Sequence, residues 1–403
     1  MVLKRVFSGI FGYIRRSDIL LWILIGIISG YSLLLLNSVS TATGASYDRT
    51  QLMAIGIGVA GAIFISLIDY QSIANFWYLI AGFSVFIMIY TFIFADAVEG
   101  SGGVSARAWI MIAGRSFQPS ELVKILFMIT YAKHLDTLKK NDLLDAPLHV
   151  ILLFFHAIIP VLLCYYQGDD GAGMVFLAIF LSMSFSAGIK LRYFIILFAG
   201  ILAMIPVLWQ FILKDYQKDR FTAVYNLDTD LSVRMDSGWQ QYNGRISIGS
   251  GGFSGAGLGN GSRVAAKSVS YQDSDFIFSV AGEELGFIGC SAIIILLLLL
   301  MIKVLHVPSR SRDGLGKYMC FGFFGLIAFQ SVVNIGMCLA LLPVMGITLP
   351  FFSSGGSSAM CLYFGIGLVQ GVYMRRQETD GSHLNRTETM RFSYRQMKSL
   401  KRT

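Results

Sequence analysis

Charged side chains are scarce in this sequence. Asp, Glu, Lys and Arg together supply 14% of its 403 residues, too few to cover the surface of a soluble domain of that size. Cysteine is sparse as well: Cys164, Cys290, Cys320, Cys338 and Cys361 stand singly in apolar runs without CxxC spacing. That speaks against a disulfide framework or a thiolate metal site, and the five read as small core residues. The histidines, His134, His149, His156, His306 and His383, never form HExxH, so a dedicated zinc centre has no motif to rest on. No P-loop occurs, which removes one common phosphate-cradling loop. Low-complexity segments are lacking too, as is any clear internal repeat of the kind that marks an inverted-repeat transporter.

What is present is apolarity. Hydrophobic residues reach 55% and mean hydropathy is +0.64. A bilayer core about 30 Å thick takes roughly 20 apolar residues of helix to cross. Backbone in lipid must close its own hydrogen bonds, which favours helices over open sheet. Apolar runs predict ten spans, at 19–36, 52–69, 74–94, 119–135, 148–166, 171–188, 193–213, 276–302, 318–342 and 355–374. The first is long and no small-residue cleavage site follows it, so it is expected to stay in place. The expected fold is an all-α integral membrane protein of about ten transmembrane helices, with one polytopic domain over 19–375.

The basic residues set its orientation. With both termini in the cytoplasm, 21 of the 32 Lys and Arg fall in cytoplasmic segments, namely 1–18, 133–147, 189–192, 303–317 and the tail after 374. The short outer connections hold three, Arg49, Arg107 and Arg115, and this asymmetry is the positive-inside signature. The remainder are Lys124, inside a span, and seven in the 214–275 segment, too long for the rule to apply. Net charge +8 is thus a topology signal plus a basic cytoplasmic tail, 376–403, beside anionic membrane lipid; it calls for no nucleic acid.

Three segments break the rhythm of spans, all on the outer face: 96–118, the large loop 214–275 between helices seven and eight, and 343–358, which reads PVMGITLPFFSSGGSS. Long loops of this kind usually carry function, so the chemistry is expected outside. Ionisable groups beside these segments are the candidates, since each must have a partner or a task in lipid. Glu121 and Lys124, three apart, share a face of helix four; they either neutralise each other in packing or line a polar cavity. Arg107 and Trp109 either hold a pyrophosphate and a sugar or isoprenoid face or anchor an aromatic belt. Asp169 and Asp170 open helix six, where the helix dipole favours carboxylates. Asp275 stands where the loop meets apolar FIF. There it is either an N-cap or a partly desolvated general base. Glu283 and Glu284 lie about 12 Å further along the same helix, too far to share its proton, and are expected to satisfy neighbouring helices.

With those residues in view, the chain resembles the SEDS family of RodA, FtsW and SpoVE proteins along nearly its whole length. The resemblance rests on SARAWIMIAGRSFQPSELVKI, YQKDRF, GWQQYNGRISIGSGGFSGAGLGNGS, SDFIFSVAGEELGFIG and NIGMCLALLPVMGITLPFFSSGGSS, in the family's order. It implies a bacterial cytoplasmic membrane protein that polymerises peptidoglycan strands from lipid II, acting on undecaprenyl-pyrophosphate-linked glycan beside a class B penicillin-binding protein. It implies Asp275 as the catalytic residue, and Arg107, Trp109, Glu121, Lys124, Asp169 and Arg220 as substrate-binding ones. A divalent cation, Mg or Mn, between these groups and the pyrophosphate stays open. The chain departs from the family pattern at Ala108, at QGDDGA, at Asn243-Gly244, at Ala256 and at Ser270-Tyr271. Two other readings compete: a carrier that flips the lipid-linked precursor, which would need a midplane site open to both faces, and a scaffold for the transpeptidase.

Overall fold

The computed structural model describes residues 12–96, 98–99, 105–112, 114–308, 311 and 314–376. Most of the expected cytoplasmic N-terminal segment (1–11) and nearly all of the basic tail (377–403) lie outside the described residues. Membrane-length helices run through the rest: α1 (Ile19–Thr43), α2 (Tyr47–Leu67), α3 (Trp77–Phe94), α4 (Pro119–Lys140), α5 (Pro147–Gln167), α6 (Asp170–Ala187) and α7 (Leu191–Val207). Two outer helices follow, α8 (Asp215–Asn226) and α9 (Trp239–Ser250), then α10 (Ile277–His306), α11 (Gly314–Cys338) and α12 (Gly356–Arg376).

Among the described residues, nine helices are both long and apolar enough to cross a bilayer. The tenth expected span, α4, is long enough but carries Glu121, Lys124, Lys133, Asp136, Lys139 and Lys140. Protein rather than lipid surrounds much of it. It packs against α3, α5, α6 and α11, and fifteen of its residues are buried, Tyr131 and Lys124 among them. At the other extreme α7 presents itself to lipid, with Phe194 its one buried residue.

Helices without a hydrophobic drive to associate in lipid come together through small residues and polar contacts. A Cβ at Gly58 would lie 2.8 Å from Tyr363 Cβ, so the glycine lets α2 and α12 touch. Asp18 caps α1 and pairs with Lys303 at 2.8 Å, while its backbone N–H donates to Gln370 Oε1 and its carbonyl accepts from Gln370 Nε2. One polar knot thus ties α1, α10 and α12.

The 214–275 segment is partly helical. It holds α8, α9 and the short turns Leu231–Met235 and Ser262–Ala265, and α9 lies along the outer part of α10. Its glycine run is fixed rather than flexible. α10 breaks at Gly286 (φ 63°, ψ −157°), and the freed backbone groups are taken up by the run. Ala256 and Gly257 N–H donate to the carbonyls of Glu283 and Glu284, while Gly252 and Phe253 carbonyls accept from Phe287 and Ile288 N–H. A broken helix at membrane depth is tolerated only with such replacement partners.

Candidate functional site

The outer end of α4 is prepared by sequence. Pro119 occupies the first helical turn, where a missing N–H costs nothing. The preceding hairpin, Ile110–Ile112 with Arg115–Phe117, delivers Gln118 to α6. There Asp169 is the N-cap: its Oδ1 accepts from Ala172 N–H at 3.1 Å. Its Oδ2 accepts from Gln118 Nε2 at 2.6 Å and from Ser120 Oγ at 3.3 Å. Burial pushes the Asp169 carboxyl up despite these donors. One turn along α4, Lys124 Nζ meets Glu121 Oε1 at 2.8 Å, with the lysine side chain 1% exposed. A buried pair of this kind is costly to break from one side.

Asp170 has a different task. Its Oδ2 accepts from Gln217 Nε2 at 2.6 Å and from Tyr216 O–H at 3.4 Å, which anchors α8 over the start of α6. The same helix lays the Arg220 guanidinium across the Tyr216 ring, 5.5 Å from its centre.

These elements enclose a cavity of about 420 Å³ on the outer side, within the range that holds small ligands. Trp109, Glu121, Lys124, Asp169, Arg220 and Asp275 all line it. Six of the seven residues that the family resemblance implies as catalytic or substrate-binding therefore converge. Arg107 does not join them. Its backbone N–H is tied to Gln167 O at 2.9 Å, and its side chain is exposed, at the rim beside the lining residues Ala106 and Trp109. Tertiary placement, invisible in the spacing of ARAW, decides this.

Asp275 differs from the expected alternatives in one respect. α10 begins at Ile277 with Phe276 as its cap residue and no side-chain cap bond, so Asp275 is not the N-cap. It faces the cavity instead, 7% exposed. Two residues earlier Asp273 lines the same space, and burial raises its carboxyl above the ordinary value. Sequence reading passed it over beside the stronger Asp275 signal, as it did Gln118, Tyr216 and Gln330. Glu283 and Glu284 satisfy neighbours as expected: Glu284 Oε1 accepts from Ser38 Oγ at 2.5 Å, and Glu283 Oε1 from Arg263 N–H at 2.7 Å.

The lining is acidic, with Glu121, Asp169, Asp170, Asp273 and Asp275 against Lys124 and Arg220. The interior therefore suits a hydroxyl-rich neutral ligand, and an anion belongs towards the mouth. Asp169, Asp170 and Glu121 are committed to protein donors. Among the described residues no set of three or more His, Cys, Asp or Glu is arranged to hold a metal.

Comparison with known proteins agrees with this architecture. A family model described as cell cycle protein, covering FtsW, RodA and SpoVE, matches residues 16–378. A probable peptidoglycan glycosyltransferase FtsW of Trichlorobacter lovleyi is 30% identical over 371 residues, 89% of this chain and 93% of that protein. The peptidoglycan glycosyltransferase MrdB of Escherichia coli is 30% identical over 73% of this chain and 79% of its own length. Among solved structures, a chain of a peptidoglycan synthase complex that coordinates polymerization and crosslinking superposes with a TM-score of 0.74 at 25% identity. It covers 89% of this chain and 98% of that one. The rod shape determining protein RodA of Thermus thermophilus shares the fold with a TM-score of 0.65 at 24% identity, over 89% of this chain and 97% of its own.

Proposed function

The chain belongs to the FtsW, RodA and SpoVE family of cell cycle proteins, and from that premise we propose that it is a peptidoglycan glycosyltransferase of the bacterial cytoplasmic membrane, polymerising lipid II on the outer face. The observation that carries the reading is the convergence of Asp275, Glu121, Lys124, Asp169, Arg220 and Trp109 on one outer cavity. A carrier would instead place its site near the midplane with access from both sides.

In the proposed reaction Asp275 takes the proton from the acceptor sugar hydroxyl of lipid II. The oxygen attacks the anomeric carbon of a strand held on undecaprenyl pyrophosphate, the new glycosidic bond forms, and the pyrophosphate leaves with the electron pair. Arg220 at the wall and Arg107 at the rim meet the charge that develops on the leaving group, while Trp109 offers a face to a sugar or the isoprenoid. The buried Glu121–Lys124 pair shapes the floor. No step is routed through a metal. The crosslinking half of wall synthesis calls for a partner, which we assign to a class B penicillin-binding protein, because the superposed complex couples polymerization to crosslinking.

Purified Asp275→Asn tests this directly. With labelled lipid II and an unchanged thermal unfolding midpoint, strand synthesis is expected to fall about 10²–10⁴-fold, the usual loss for a general base. Parental polymerisation by that variant would sink the assignment.

A further inference from the structure

Asp275 does not cap its own helix, and a general base works only when it is held to within about 0.5 Å of its productive position, at hydrogen-bond reach of the proton it takes. The block that ends α11 and leads into α12 grips the backbone at and before it. Three successive carbonyls, those of Asp273, Ser274 and Asp275, each accept a hydrogen bond from it: Ser354 N–H at 2.8 Å, Ser353 Oγ at 2.6 Å and Asn334 Nδ2 at 2.8 Å. Asn334 is wholly buried, and the same nitrogen donates to Ile347 O at 2.7 Å. Ser353 Oγ in turn accepts from Leu349 N–H at 2.7 Å. Between them Phe351, 3% exposed, takes φ 66°. A bulky residue holds that left-handed backbone only where its surroundings over-determine it. Neither Asn334 nor Ser353 lines the cavity.

We propose that Asn334 and Ser353 are positioning residues that clasp the 273–275 backbone and so aim the Asp275 carboxylate into the cavity. The inference rests on the reading of Asp275 as the base. It gives the NIGM and FFSSGG wording a physical task distinct from touching substrate.

Ser353→Ala removes the clasp hydroxyl, Ser353→Thr keeps it, and Asn334→Asp keeps shape while removing the donating amide. Full-length purified protein carrying each change is assayed with labelled lipid II beside Asp275→Asn. Misaimed catalytic groups commonly cost about 10–100-fold, so S353A and N334D are expected to lose about that in kcat, with KM within twofold. The acid limb of their kcat–pH profile is expected to move. S353T returns kcat to within about threefold of the parent, and the S353A unfolding midpoint stays parental. If S353A keeps the parental kcat while Asp275→Asn is inactive, the clasp is wrong and the base stands. If Asp275→Asn is itself fully active, the base reading falls and takes the clasp with it. A loss of activity in S353A that only follows a loss of thermal stability also overturns the proposal, by showing a structural role.

Discussion

Asp273 separates the energetics of the site from its chemistry. Burial raises its carboxyl in the folded protein, whereas the unfolded chain leaves it near the ordinary value of about 3.9. The folded state thus holds the proton longer, and folding is penalised once pH exceeds the unfolded value. Asp273→Asn is therefore expected to raise the unfolding midpoint at neutral pH. The gain should be absent below about pH 3.9 and grow as pH rises to the folded value, then level off; each pKa unit is worth about 1.4 kcal/mol. Midpoints measured in detergent across pH check this, and a gain that persists in acid would contradict it. Residues whose signal was local were legible in the sequence: Glu121 and Lys124 by their spacing, Asp275 by its place against FIF. Arg107 and Asp273 were not, since the direction of an irregular segment's side chains is set by partners such as Gln167 and Ser354, remote in sequence.

Among the elements, α10 and the glycine run are each incomplete alone. Gly286 occupies backbone space reserved for glycine, and a Cβ there would lie 2.4 Å from Gly255 N. Gly286→Ala is expected to cost about 1–3 kcal/mol from backbone conformation alone, with overlap adding to it. A lowered unfolding midpoint and a broadened size-exclusion peak would register it; parental behaviour would show that the break is not needed. Sequence composition reported only that the run was glycine-rich, which describes a flexible linker equally well. The order comes from α10, whose own broken ladder needs those amides and carbonyls, and periodicity carries no trace of that.

For the whole molecule, the multi-pass helical membrane class was the most legible feature, because bilayer thickness acts on the sequence directly. The five native cysteines are all buried, so single introduced thiols report topology cleanly. Tyr225→Cys, at an 85% exposed site in α8, should react with a membrane-impermeant maleimide on intact cells. Asn141→Cys, after α4, should react only once the membrane is opened. The reverse pattern would invert the orientation. The character of α4 reaches further, into biogenesis. A helix with this many charges gains little by leaving the translocon for lipid alone, so it needs α3, already made, and then α5, α6 and α11 as they arrive. The last of these is synthesised nearly two hundred residues after α4 begins. Until then the nascent chain carries a polar helix without its final shelter. A ribosome stalled before α11 would therefore leave the future floor of the cavity exposed to membrane quality control.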